Sequence, residues 1–184
     1  EVARRIIDID RARLVNKFKS QNNIKINDVI QKNHGIQMWF PKDFFVAHID
    51  TSMIWLRRET PKTGQGVLIF NLRNKTNLNA KNIIKLADSV TREHISGPLK
   101  DSYLTSEREA PVSLDTININ NYKALKIQSL WRMEKDFMGG VFNIYYLDQQ
   151  KRDSPIIYTY LYAPGEPKNI FMLQLDAIVH TLFY

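Results

Sequence analysis

The sequence contains no cysteine. This absence excludes disulfide bonds, thiol catalysis and zinc sites built from cysteine. The lack of cysteine does not identify the cellular compartment. A chain without thiols is compatible with a reducing cytoplasm and also with a bacterial envelope domain that has no disulfides. The chain also has only seven glycines. No stretch rich in proline or glycine interrupts it, so the composition indicates no flexible linker.

Long apolar runs are missing as well. No run reaches the roughly 18 residues of a membrane-spanning helix. A chain of 184 residues predicts one domain, which is long enough to bury a substantial core. We expect residues 1–33 to form an N-terminal helical segment, the remainder of a longer N-terminal portion. We expect residues 34–184 to form a single α+β sandwich domain.

The basic charge of the chain is scattered. A net charge of +7 permits an anionic partner such as nucleic acid. However, acidic residues interrupt the one local basic cluster, within residues 4–19, and we interpret that cluster as a solvated helix face. We therefore expect no nucleic-acid partner. The opposite hypothesis predicts retention on heparin with a steep salt dependence.

Hydrophobic periodicity indicates strands on both sides of a turn at residues 131–140. Residues 122–133 alternate apolar and polar side chains, as in a strand with one buried face. Residues 141–147 and 156–162 are continuous apolar and aromatic runs, which are typical of strands covered on both faces. This part of the chain therefore predicts the middle of a sheet.

The rest of the pattern predicts helices around that sheet. Helical spacing recurs in three amphipathic segments, at residues 1–19, 79–95 and 168–182. Asn77 or Asn79 can cap the second of them. A further short helix is predicted at residues 26–32, with Gly35 as its left-handed C-terminal residue. Residues 36–40 alternate as in a strand. Most strands follow one another through short turns, which force antiparallel neighbours. The predicted fold class is α+β, a mainly antiparallel sheet flanked by helices.

Two turns have a predicted backbone conformation. Asparagine tolerates positive φ, so Asn120 and Asn121 predict a two-residue type I′ hairpin turn. Gly139 and Gly140 close the turn at residues 131–140, and we expect them to adopt positive φ as well.

No motif identifies a catalytic or metal-binding site. The four histidines show neither i,i+4 pairing nor metal-ligand spacing, so we expect no metal site; they are His34, His48, His94 and His180. No serine lies in a G-x-S-x-G elbow. We expect no catalytic residue and no cofactor.

Several motifs carry a family resemblance. In chain order they are HGIQMWFPKDF, WLRRET, QGVLIFN, ISGP, SYLTSE, LWRMEKDFMGG and YLYAP. With them the chain resembles an uncharacterised family of Bacteroidetes-type lipoproteins, known only as a domain of unknown function. The resemblance covers residues 34–184. It implies an extracytoplasmic protein of the cell envelope, in the periplasm or at the outer membrane. It also implies membrane attachment only through a lipid anchor absent from this chain.

The order of strands and helices also resembles the PsbP-like α/β/α sandwich, whose members are mostly accessory or binding proteins. Likeness of fold says little about function. The first hypothesis is accordingly a non-catalytic binding or structural module of the bacterial envelope with an unknown protein or glycan partner. The alternative is a hydrolase that acts on an envelope glycan through the loop carboxylates Asp101, Glu107 and Glu109, since a pair about 5–9 Å apart can serve acid–base catalysis.

The turn at residues 131–140 provides the candidate binding residues. An exposed Phe137 and Met138 would leave apolar surface without a partner. The candidates are Trp131, Arg132, Phe137 and Met138, together with Tyr103. The alternative is that Phe137 and Met138 fold back onto the sheet edge.

A row of tyrosines, Tyr158, Tyr160 and Tyr162, lies on one face of a predicted strand. Aromatic rows can stack bases or sugars. Because a helix is available to cover each face of the sheet, we favour core packing for these three rings.

Overall fold

A computed structural model describes residues 2–72, 79–147 and 154–184. The helices are α1 (Val2–Ser20), α2 (Ile24–His34), α3 (Ala80–His94) and α4 (Lys168–Val179). The first strands are β1 (Phe45–Ile49), β2 (Met53–Glu59), β3 (Gly64–Leu72) and β4 (Leu104–Ser106). The remaining strands are β5 (Ser113–Ile119), β6 (Tyr122–Met133), β7 (Gly139–Leu147) and β8 (Ser154–Tyr162).

The eight strands form one sheet in which every pairing is antiparallel. The order is β1-β2-β3-β8-β7-β6-β4, and β5 also pairs with β6. The α+β class is therefore confirmed. The three strands predicted for the middle of the sheet are interior strands, and β8 is buried along nearly its whole length.

Helices cover both faces of the sheet. On one face, α1, α2 and α4 pack over the first core; examples are Phe18, Ile30 and Leu175. On the other face, α3 contributes Ile83 and Ala87 to the second core. None of the helices within the described ranges is long and apolar enough to cross a membrane.

The helix ends follow the local chemistry of the sequence. α2 ends at Gly35, whose φ of 66° is the left-handed conformation that a glycine adopts without strain. The side chain of Asn79 accepts a hydrogen bond from the backbone N–H of Asn82 and caps α3. Asn77, the other predicted cap, lies outside the described residues.

Residues 36–40 do not form the strand that their alternation predicts. The alternation itself is correct, because Ile36, Met38 and Phe40 are completely buried. Its backbone forms an isolated bridge between Gln37 and Phe183, and the N–H groups of Met38 and Trp39 donate to side chains instead of to a neighbouring strand. The segment therefore crosses the first core in an extended form without joining the sheet.

The β5–β6 hairpin turns at the predicted residues, with Ile119 paired to Tyr122. Only Asn120 has a positive φ, of 51°. A type I′ turn requires positive φ at both central residues, so the turn type was predicted wrongly although its position was right.

A buried polar network joins α4 to the sheet. The carboxylate of Asp176 accepts hydrogen bonds from Lys126 Nζ and from the Tyr145 hydroxyl, each at 2.7 Å, and pairs with Arg11 at 3.2 Å. Burial by itself raises the pKa of Asp176, but the charges of Lys126 and His180 outweigh it, so that the pKa is lowered. The carboxylate is therefore ionised and balanced by cations.

Candidate functional site

A groove of about 810 Å³ opens on the α3 face of the sheet. Its position follows from the length of α3, which ends at His94 and leaves the strands beyond it uncovered. The chain leaving the helix, at residues 95–98, forms one wall, and side chains of β2, β6 and β8 contribute to the rest of the lining. A concave site of this volume is large enough for a small ligand or a short polymer segment.

Four aromatic side chains line the groove: Trp55, Trp131, Tyr160 and Tyr162. Trp131 packs edge-on against Tyr160 with 5.8 Å between ring centroids, and its centroid lies 6.3 Å from that of Tyr162. Trp131 and Tyr160 are buried, whereas Trp55 and Tyr162 are half-buried. Trp55 and Tyr162 are therefore the rings that a ligand can contact most fully.

Internal hydrogen bonds hold these rings in place. Trp131 Nε1 donates to the backbone oxygen of Leu161 at 3.1 Å, and Trp55 Nε1 donates to the Tyr160 hydroxyl at 3.2 Å. Burial raises the pKa of Tyr160 to about 12, against the opposing effects of Arg57 and of the bond from Trp55. The Tyr160 hydroxyl is therefore protonated at neutral pH, and the aromatic surface is ordered before any ligand arrives.

The rim of the groove is charged. The guanidinium of Arg57 lies 5.0 Å from the centroid of the Trp55 ring and also donates to the Glu59 carboxylate. Lys62 pairs with Glu166 at 3.1 Å. Both carboxylates of the described lining are therefore held by cations, and the rim offers donors and acceptors side by side.

Four of the five predicted binding residues line one depression of about 510 Å³ beside the groove; they are Trp131, Arg132, Phe137 and Met138. Trp131 and Met138 line the groove, but Trp131 is only 2% exposed. Arg132 and Phe137 line that depression but not the groove. Tyr103 lines neither of them. Its backbone oxygen accepts from Glu134 N at 2.8 Å, and its ring lies 4.3 Å from the guanidinium of Arg92.

The tip of the turn at residues 131–140 is exposed. Phe137 is fully exposed, whereas Met138 packs against the second core. Met138 therefore folds back onto the sheet, and Phe137 does not. Arg132 is engaged by the carboxylates of Glu134, at 2.7 Å, and Glu107, at 3.6 Å.

Positive φ in this turn occurs at Lys135 (62°) and at neither Gly139 nor Gly140, so the predicted conformation of the two glycines was wrong. Gly140 is needed for a different reason. A Cβ placed on it would lie 2.0 Å from the Leu161 carbonyl oxygen and 2.8 Å from Trp131 Nε1. A glycine is required at position 140 because β8 and the Trp131 indole both approach it closely.

The loop carboxylates lie outside the groove lining. Asp101 faces Lys135 at 3.7 Å, and Glu107 faces Arg132 at 3.6 Å. Glu109 is exposed. The backbone N–H of Glu109 donates to Glu107 Oε1 at 3.4 Å, so these two residues are neighbours in the loop.

Core packing was the correct expectation for Tyr158 and Tyr160, which are buried. Sequence reasoning missed Trp55 and Arg57. A signal was present, because Met53, Trp55 and Arg57 share one face of β2 and pass from apolar to aromatic to charged. Such a gradient is expected where a strand leaves the core and becomes the wall of a cleft.

Comparison with known proteins gives a family and a fold. The family model DUF4837, a domain of unknown function, matches residues 23–181. The search of curated proteins found no match. The crystal structure of the Saccharomyces cerevisiae Ran-binding protein Mog1p is similar over 82% of this chain and 91% of that chain, with a TM-score of 0.50 and 9% identity.

A second solved structure, of a mutant of protein Mog1, covers 80% of this chain and 89% of its own with a TM-score of 0.47 and 9% identity. At this level of identity, the likeness to Mog1p shows a shared fold alone.

Proposed function

The chain belongs to the DUF4837 family, a domain of unknown function, and we propose a function for it from the groove: a non-catalytic binding module of the bacterial cell envelope that holds a segment of glycan. The observation that carries the proposal is the pairing of half-buried Trp55 and Tyr162 with the planar Arg57 guanidinium in one groove. A sugar ring presents an apolar face that packs on aromatic rings and hydroxyls that bond to charged planar groups.

We propose that the groove is non-catalytic because the carboxylates of its described lining are paired with cations. Glu59 and Glu166 are the carboxylates of the described groove lining, and each is paired with a neighbouring cation. A general acid in a glycosidase needs a raised pKa, which an adjacent cation opposes. The alternative hydrolase has no support from the groove, because Asp101, Glu107 and Glu109 lie outside its lining.

The envelope location and the lipid tether are proposed from the resemblance to Bacteroidetes-type lipoproteins. A module of this kind would be held at the membrane by its anchor while the groove engages glycan. Fractionation of the native full-length protein tests this part separately. Recovery in the envelope fraction with a lipid-modified N-terminus supports it, and recovery in the cytoplasm overturns it.

The glycan is tested by titration calorimetry with two probes, a soluble muropeptide mixture and lipopolysaccharide core oligosaccharide. We expect saturable binding of at least one probe by the wild type. Trp55→Ala and Tyr162→Ala should each weaken it by about tenfold or more, because loss of an aromatic stacking surface removes about 1–3 kcal/mol. Phe137→Ala is the matched control, since it truncates an exposed ring outside the groove and should bind as wild type.

Trp55→Phe separates stacking from folding. It keeps a ring in place and removes the bond to Tyr160, so it should retain most of the binding. If neither probe binds the folded wild type, or if the groove variants bind as well as the control, the glycan proposal is wrong. A protein captured by the wild type and lost with Tyr162→Ala would identify a protein partner in its place.

A further inference from the structure

Three potential metal ligands meet beside the first strand of the sheet. His48 lies in β1, Asp50 in the turn that follows it, and His94 is the last residue of α3. Asp50 Oδ2 lies 3.1 Å from His48 Nε2 and 3.8 Å from His94 Nε2. One ligand atom from each residue falls within 4.8 Å of the other two. Spacing along the chain did not predict this cluster, because the third residue reaches it from a different element.

The Asp50 carboxylate is oriented by the backbone around it. Its Oδ1 atom accepts hydrogen bonds from Ser52 N at 2.6 Å, from Ser52 Oγ at 2.7 Å and from Met53 N at 3.0 Å. These bonds fix the side chain and leave Oδ2 directed at the two imidazoles. Fixed outer hydrogen bonds of this kind are typical of carboxylates that ligate metals.

We propose that His48, Asp50 and His94 bind a divalent transition-metal ion, with Zn²⁺ as the ion best suited to the ligand set. Ligand distances of about 2.0–2.2 Å place tetrahedral neighbours roughly 3.3–3.5 Å apart, and the two observed carboxylate–imidazole distances bracket that range. Two imidazoles and a carboxylate leave coordination positions open to water or to another ligand.

Solvent can reach the cluster. The side chains of His48 and Asp50 are 44% and 33% accessible, whereas that of His94 is 11% accessible. An ion can therefore enter from the β1 side and be held against α3. Because residues 95–98 form a wall of the groove, a bound ion would also tie that wall to β1. This connection is independent of what the groove binds.

The proposal is tested with Zn²⁺ by calorimetry and with Co²⁺ by visible absorption on the metal-free protein. We expect one ion per chain and the absorption of a low-symmetry Co²⁺ site containing nitrogen ligands. Asp50→Asn keeps an oxygen for the Ser52 and Met53 bonds but removes the charged ligand. It should weaken Zn²⁺ binding by more than about tenfold, the loss that even outer partners cause.

His48→Gln and His94→Gln should weaken binding in the same way, while His34→Gln, a histidine outside the cluster, should bind as wild type. Zn²⁺ should also raise the melting temperature of the wild type and of His34→Gln only, because an ion that binds the folded state stabilises it. The proposal is overturned if the folded wild type binds no ion. It is also overturned if the cluster variants and the control bind Zn²⁺ equally, which would be adventitious surface binding.

Discussion

Gly140→Ala is the sharpest test of how the β6–β7 hairpin is built. Gly140 lies in β7 opposite Trp131 of β6, and β8 approaches it from the other side. The added methyl carbon would lie 2.0 Å from the Leu161 carbonyl oxygen, which belongs to the backbone of β8. A backbone atom cannot turn away as the end of a flexible side chain can, so the strands or the indole must move.

The expected loss can be worked out from the two groups involved. Forcing an extra methyl into packed structure costs about 1–3 kcal/mol. Movement of the Trp131 indole breaks its bond to Leu161, and a buried carbonyl left without a donor costs about 1–3 kcal/mol more. The sum, about 2–6 kcal/mol, is a large part of the stability of an ordinary domain.

Urea unfolding followed by tryptophan fluorescence measures this loss. Gly64→Ala is the matched control, because Gly64 also lies at the start of a strand and its added carbon would meet nothing nearer than Tyr162 Cβ at 3.9 Å. We expect the control to stay within about 0.5 kcal/mol of wild type. If Gly140→Ala were equally harmless, the close approach of β8 would not be the reason for the glycine.

Two further predictions concern buried charge. Burial lowers the pKa of both His34 and His180 below the ordinary 6.5; the unfolded chain therefore binds more protons, and stability that is complete above about pH 6.5 should fall as the pH drops through that value. Urea midpoints at pH 7.5 and 5.5 measure the change, and a midpoint unchanged or higher at pH 5.5 would contradict it. Asp176→Asn should cost about 3 kcal/mol, because it leaves the mostly buried Lys126 without its counter-ion. An unchanged unfolding midpoint would show that the network around Asp176 has no part in stability.

The predictable part of the fold is the part that local chemistry determines. The end of α2 and the start of α3 could both be predicted. Gly35 adopts the left-handed conformation without strain, and the side chain of Asn79 supplies the capping hydrogen bond. Periodicity also predicted the position of α3, but it placed Ile83 and Ile84 equally on the buried face. Only Ile83 is fully buried, because one face of the helix meets the sheet directly and a neighbouring residue lies at its margin.

The groove could not be predicted because it depends on the order of the strands. Trp55 lies in β2 and Trp131 in β6. Three strands, β3, β8 and β7, separate them, and the curvature of the sheet brings both side chains to one groove. Alternation along a strand shows which face a side chain takes, but not which strand is its neighbour. The sequence also could not show that His48 and His94 lie close together, because they belong to different elements.

The irregular register of β1 has a consequence for how molecules of this protein meet. β1 is an outer strand of the sheet, and its pairing with β2 shifts between Val46 and His48, which leaves Ala47 outside the register. Several of its apolar side chains are exposed, as at Phe45 and Ile49. A straight edge of that composition would be a template for another chain, whereas a bulge breaks the regular row of backbone donors and acceptors. The bulge in β1 therefore interrupts the regular edge that another chain would need in order to extend the sheet.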